Sequence, residues 1–208
     1  MNSLQVMAGV QESLAFTNGH LIQLALPYAN LQGANLMGKD LRQANLFGAN
    51  LQEANLIAAS LRQANLRHST LNRARLQRCN LSEADLTAAH GNEADFQRAT
   101  FTDTEAQGIY LYRANLNQAT LVQGHFQQAY APEASFVAIE GAGLDLRWAN
   151  LTQARFNHAS LPGANLRGAN LSRADFTGAD LRGADLRGAN LQGVIFHQTC
   201  LDGVNFDD

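Results

Sequence analysis

The stretch ADFTGADLRGADLRGANLQG, residues 174–193, is one five-letter word written four times with small edits. Neither of the common backbone periods produces it, since a helix repeats near every 3.6 residues and an ordinary strand every 2. Counting by fives from Phe16 to Phe206 meets Leu or Phe at 35 of 39 stops, with Gly91, Ala106, Ala131 and Gly141 the exceptions. No insertion breaks the phase. Two residues before each stop stands mostly Ala, and the residue between is mostly Asn or Asp, so the word is A(N/D)LXX.

A unit this short cannot bury its own apolar residues and must stack on copies of itself. The run ANLQGANLMGKDLRQANLFGANLQEANL, residues 29–56, resembles the pentapeptide-repeat family, and the resemblance extends over residues 16–206. It implies an all-β fold: a right-handed quadrilateral β-helix of about ten coils, four pentapeptides to a coil, with the central Leu or Phe and the small residue before it pointing inward. A 20-residue coil stacks residues 20 apart in columns, and six of the nine in-phase Phe residues share one such column, from Phe16 through Phe96 to Phe196. In a second column Glu53, Arg73, Glu93, Arg113 and Glu133 alternate in sign, as suits neighbours about 4.8 Å apart.

The word has a physical reading. Inward Leu and Phe form four apolar ladders, each buried side chain contributing roughly 1.5–3 kcal/mol before ordering entropy is subtracted. Asn and Asp, assigned to the corners, bond the backbone locally, and Gly in the last position, as at Gly163 and Gly168, supplies the positive φ of a type II turn. Coils richest in Gly are therefore expected to be the most regular. Residues 1–15 form an expected N-terminal cap, with Leu4, Met7, Val10 and Leu14 at helical spacing. The sequence holds its register to Phe206, so the C-terminal coil is a candidate surface for a homodimer.

Composition bounds the function. A net charge of -3 offers no basic surface for nucleic acid, and no apolar run is long enough to span a bilayer. With no Lys or Arg before Lys39 there is no secretory n-region, and a cytoplasmic location is expected. Cys79, in an inward small-residue position, and Cys200, six coils away, lie too far apart for a disulfide. No nucleophile elbow, phosphate-cradling glycine loop or zinc spacing occurs, so neither an enzyme nor a bound cofactor or metal is expected. Glu105, His125 and Asp145 follow one another in one column, which does not converge on a point as metal ligands must.

The candidate partner-binding site is central. All four exceptions to the Leu/Phe rule fall between 91 and 141, and the same zone stacks His90, Tyr110 and Tyr130 in a corner column that elsewhere is mostly Asn, with Tyr112 and Trp148 close by. These aromatics either anchor a protein partner or patch coils weakened by Gly91 and Ala131. The segments 103–110 and 140–145 could form protruding loops without breaking the phase. Arg147 and Arg167, in a column with Arg187 and Arg67, form the rim of the same site or a solubilising face. Met37, Ile57 and Phe47 make a smaller apolar patch near the N-terminus, where Lys39 replaces an inward Ala.

Two functions follow. The first is a rigid scaffold that presents side chains at fixed spacing to a protein partner, with no nucleic acid and no membrane involved. The second comes from the resemblance: some members of the family mimic B-DNA and occupy the DNA-binding saddle of type II topoisomerases. That role calls for a strongly acidic rod, and this chain departs from it.

Overall fold

The structure, a computed structural model, describes residues 24–207; the expected N-terminal cap and Phe16 lie outside the described residues. From Ala25 to Asn205 every fifth residue bridges the residue 20 further on, always in parallel: Ala25 to Asn45, Asn30 to Asn50, and so on to Asp185 with Asn205. Each coil thus has 20 residues and four turns, and the described chain makes about nine coils. The segments 103–110 and 140–145 keep the register through Glu105 and Asp145 and do not protrude.

The backbone accounts for itself almost completely. Around the central residue Leu46, the N–H of Leu46 donates to the Asn65 carbonyl at 2.8 Å and that of Gly48 to the Arg67 carbonyl at 2.8 Å, both in the next coil. The Ala49 N–H closes the turn on the Leu46 carbonyl at 3.0 Å, and the Asn50 N–H reaches back to Ala29 at 2.9 Å. Around Leu46 only the N–H just after it, that of Phe47, has no backbone partner. In most repeats the Asn or Asp supplies one, as Asn45 Oδ1 accepts the Phe47 N–H at 3.1 Å. That Asn or Asp is the bridging residue in the middle of each flat side; the corners are the two turn residues that follow the central Leu. The assignment of the Asn/Asp column to the corners is therefore corrected, because a bridging residue must lie where neighbouring coils run side by side.

Every last-position residue from Tyr28 to Gly203 has positive φ, as a type II turn demands. Twenty-four of them are not Gly, and their bridges are as continuous as those of the 12 that are, so Gly content does not grade regularity. The left-handed conformation costs a non-Gly residue roughly 1–2 kcal/mol, and at every such residue from Tyr28 to Arg173 a hydrogen bond from its N–H to the next coil holds it there.

Inside, the central Leu and Phe and the preceding Ala form one continuous core from Ala29 to Leu186. Phe136, Phe156 and Phe176 stack at 4.7 Å with rings 3° from parallel. Three of the four exceptions are filled from within. A Cβ at Gly91 would meet Leu111 Cδ2 at 3.3 Å and Phe96 Cε2 at 3.4 Å, and one at Gly141 would meet Leu161 Cδ2 at 2.8 Å. Beside two of them the small inward residue becomes large: Ile109 follows Ala106, and Leu144 follows Gly141. The reverse exchange gives Gly124 beside Phe126, whose Cε2 would sit 2.9 Å from a Cβ at 124. Cys79 occupies an inward Ala position with Sγ on the Leu56 carbonyl at 2.6 Å, and burial pushes its thiol up to about 12. Lys39 is half-buried, and the last coil, from Ala189 on, is only partly covered. Among the described residues no helix is long and apolar enough to cross a membrane.

Candidate interaction surface

One of the four sides differs from the others in chemistry. Its middle column runs Asn30, Asn50, Thr70, His90, Tyr110, Tyr130, Asn150, Asn170 and Asn190, joined in sequence by parallel bridges. Its two corner columns run from Tyr28 to Gly188 and from Gln32 to Gln192 in steps of 20. Nine coils with three outward positions each contain no Asp, Glu, Lys or Arg, in a chain with 33 such residues. The three other sides carry charge in their middle columns, as at Arg75, Glu140 and Asp85.

The aromatic candidates all belong to this side. His90 and Tyr110 stack with ring centroids 4.6 Å apart and planes 7° from parallel, and Tyr130 follows at 6.0 Å. Tyr110 and Tyr130 remain 41% and 43% exposed, so they face outward and cannot fill the core beside Gly91 or Ala131. Tyr112 lies at one corner, its hydroxyl 3.5 Å from Glu133 and its ring under the Arg113 guanidinium at 4.9 Å. Trp148 lies at the opposite corner, 65% exposed, with its indole laid over Gly168. Tyr28, 73% exposed, lies over Gly48 in the same way, its Cδ1 2.7 Å from where a Cβ would stand. In both pairs a large side chain leans onto the next coil, and Gly leaves it room.

Replacing Asn by His or Tyr removes the acceptor that serves the N–H two residues on. Three substitutes appear around the aromatic column. Asn72 Oδ1 accepts the Asn92 N–H at 2.9 Å, Asn92 Oδ1 accepts the Tyr112 N–H at 2.9 Å, and after Tyr130 the residue is Pro132, which has no N–H. The chain's three prolines all follow this rule: Pro27 comes after Ala25, Pro132 after Tyr130 and Pro162 after Ser160. A fixed φ near -65° also suits the first turn position. The aromatic column thus sits on a backbone as well satisfied as the Asn ladder around it.

Arg147 and Arg167 stand at the same corner as Trp148, in the column beside it, and are tied down rather than free. The Arg147 guanidinium grips Asp145 at 2.7 Å, and Arg167 lies 3.9 Å from Asp185, itself held by Arg187 at 2.6 Å. Burial pushes the Asp145 carboxyl up, but hydrogen bonds from Arg147 and Gln127 outweigh it and leave the group below the usual carboxylate range. The Asp-Leu-Arg triplet recurs at 40–42, 145–147, 180–182 and 185–187, each Arg folding back on its own Asp. On the other border Arg73 pairs with Glu93 at 3.0 Å and Arg113 with Glu133 at 2.7 Å. The surface is an uncharged aromatic and amide strip between two charged borders. The single-site signals, His90, Tyr110 and Tyr130, were visible in the sequence; the uncharged strip, Asn72, Asn92 and Pro132 become visible once the residues are written in rows of 20.

The family model described as Pentapeptide repeats matches in eight copies, over residues 26–63, 49–87, 79–118, 145–183 and 169–208. A comparison with curated proteins gives no match. Among solved structures, the chain is similar to HetL, a pentapeptide repeat protein involved in heterocyst differentiation regulation from the cyanobacterium Nostoc sp. strain PCC 7120, at 28% identity and a TM-score of 0.59 over 95% of each chain. It is also similar to a pentapeptide repeat protein of the Arabidopsis thaliana thylakoid lumen, at 26% identity and a TM-score of 0.47, covering 50% of this chain and 72% of that one. QnrB1, a plasmid-mediated fluoroquinolone resistance protein, aligns at 18% identity and a TM-score of 0.45 over 90% of this chain and 92% of its own. The fold is accordingly a right-handed β-helical solenoid.

Proposed function

The chain belongs to the pentapeptide-repeat family, and on that premise we propose that it is a non-enzymatic binding protein whose uncharged side recognises the surface of a protein. The observation that carries this reading is the composition of that side. Interface centres are depleted in charge and enriched in Tyr and Trp, with polar and charged groups at the rim, and the strip around His90, Tyr110, Tyr130, Tyr112 and Trp148 has this make-up between borders that include Arg147 and Arg167. Coil-to-coil hydrogen bonds hold the rings in place before any partner arrives, which lowers the entropy cost of association. HetL, which the chain resembles along its whole length, is involved in regulation. A binding surface is sufficient for such a role.

Mimicry of DNA is disfavoured by the same surface. A phosphate-like array needs negative charge on every side, whereas here one side has none and the arginines neutralise carboxylates on the others.

The test compares capture by wild type and by a variant carrying Tyr110→Ala, Tyr130→Ala and Trp148→Ala, with circular dichroism confirming that both are folded. A protein retained by wild type, and by an Arg182→Ala control on another side, but lost by the triple variant supports the reading. Equal capture by all three overturns it.

A further inference from the structure

The reading above leaves the partner open, and resting on it, we infer that the uncharged side pairs with the same side of a second copy of this chain, the two rods lying antiparallel about a twofold axis. The axis passes between the coils of His90 and Tyr110. In that register residues of one column that lie equally many coils to either side of the axis come face to face: His90 meets Tyr110, Asn50 meets Asn150 and Glu93 meets Arg113.

Three observations favour it. The first is the border column Glu53, Arg73, Glu93, Arg113, Glu133, Gln153, Arg173. About this axis Glu93 meets Arg113 and Arg73 meets Glu133, in both copies, while Glu53 meets Gln153 and Arg173 meets Gly33. Shifting the axis by half a coil in either direction sets Glu against Glu and Arg against Arg. On the opposite border Arg67 meets Gln127 and Arg147 meets Phe47, so no like charges meet there either. Opposed charges steer association and fix register.

The second is the placement of the most exposed rings. Tyr28 lies over Gly48 near one end of the strip, and Trp148 lies over Gly168 near the other. About the same axis Tyr28 of each copy meets Gly168 of its mate and Trp148 meets Gly48, so each exposed ring comes against the glycine over which the mate's other ring lies. The third is size. Eight overlapping coils at about 4.8 Å give a contact roughly 38 Å long. With three outward positions per coil that is about 24 residues a side, within the range of a standard stable interface. An isologous contact of this kind closes on itself and leaves no open edge for further growth.

The experiment uses the full chain and two charge reversals, Arg113→Glu and Glu93→Arg, each checked for folding by circular dichroism and thermal melting. Sedimentation should find wild type dimeric, and each variant alone associating about tenfold more weakly or less, because each of its homodimers holds two like-charge contacts. Mixed together, the two variants should form a heterodimer at wild-type strength, read by native mass spectrometry, because both contacts between positions 93 and 113 are then Glu with Arg. A monomeric wild type overturns the inference, and so does a dimer indifferent to both reversals or one that the mixture fails to restore. The alanine capture test separates this failure from failure of the broader reading: a monomer that still loses a partner on Tyr110→Ala and Tyr130→Ala keeps a protein-binding face, and one that captures nothing loses both.

Discussion

Asn92 Oδ1 accepts the backbone N–H of Tyr112, one coil ahead, at 2.9 Å. In most repeats that donor is served by the Asn or Asp two residues before it, a place taken here by Tyr110, so Asn92 frees the bridging position to carry a ring. Asn92→Ala should therefore lower stability by about 1 kcal/mol, the net worth of one such hydrogen bond. Gln52→Ala, at the equivalent corner position where Asn50 serves the N–H, should change it by less than about 0.5 kcal/mol. Urea unfolding of the two variants checks the contrast, and equal losses would remove the role assigned to Asn92.

Pro132 solves the same problem by having no N–H to satisfy. Pro132→Ala should destabilise by about 1 kcal/mol, from the new unserved donor and the freer unfolded chain. Adding Tyr130→Asn should recover part of that loss, since an Asn at 130 can accept the new N–H as Asn50 does for Gln52. In a wild-type background Tyr130→Asn has no such donor to serve. A double-mutant cycle by chemical denaturation measures the coupling, and additive effects would contradict the account.

Core volume is conserved between neighbours rather than position by position. Gly124→Ala should cost about 1–3 kcal/mol because its Cβ would press on the Phe126 ring, and Phe126→Leu should restore part of the loss. Gly141→Leu, which writes the repeat word back in, should destabilise for the same reason, with Leu161 and Leu144 already in the space. Thermal melts of the three variants decide it. A stabilised Gly141→Leu would show the coil to be underfilled there.

The Asp-Leu-Arg pairs predict a direction with pH. Hydrogen bonds from Arg182 and Arg187 hold the Asp180 and Asp185 carboxyls below the usual range. Groups depressed in the native state contribute stability above their ordinary pKa, near 4, and lose it as pH falls through the native value. The thermal midpoint should thus drop on acidification below about pH 4. Asp185→Asn, which keeps an acceptor for the Arg187 N–H but not the charge, should flatten that drop; an unchanged profile would show that the pair contributes nothing to folding.

The candidate site was half legible in the chain itself. His90, Tyr110 and Tyr130 stand out because a strict repeat makes every departure visible. Their surroundings did not, because reading a repeat by its word compares each residue with its fellows five away, while physical contact joins residues 20 away. Placing the Asn column at the corners was the cost of that view: a word shows which positions alternate, and only the bridges show which of them lie side by side.

By itself the sequence determined the coil. A Leu or Phe every five residues with Ala two before it carried the resemblance to the pentapeptide-repeat family, which implied four words to a turn, and the 20-residue spacing of Phe and of alternating charge supported that number. The tertiary structure decided what the exceptions mean. Whether Gly91 is a hole or a space filled by Leu111 and Phe96, whether Arg147 is free or held by Asp145, and whether Tyr110 costs the backbone an acceptor or borrows one from Asn92 all depend on neighbours brought together by stacking. Local chemistry repeats along the chain, but packing and hydrogen bonding are settled between coils.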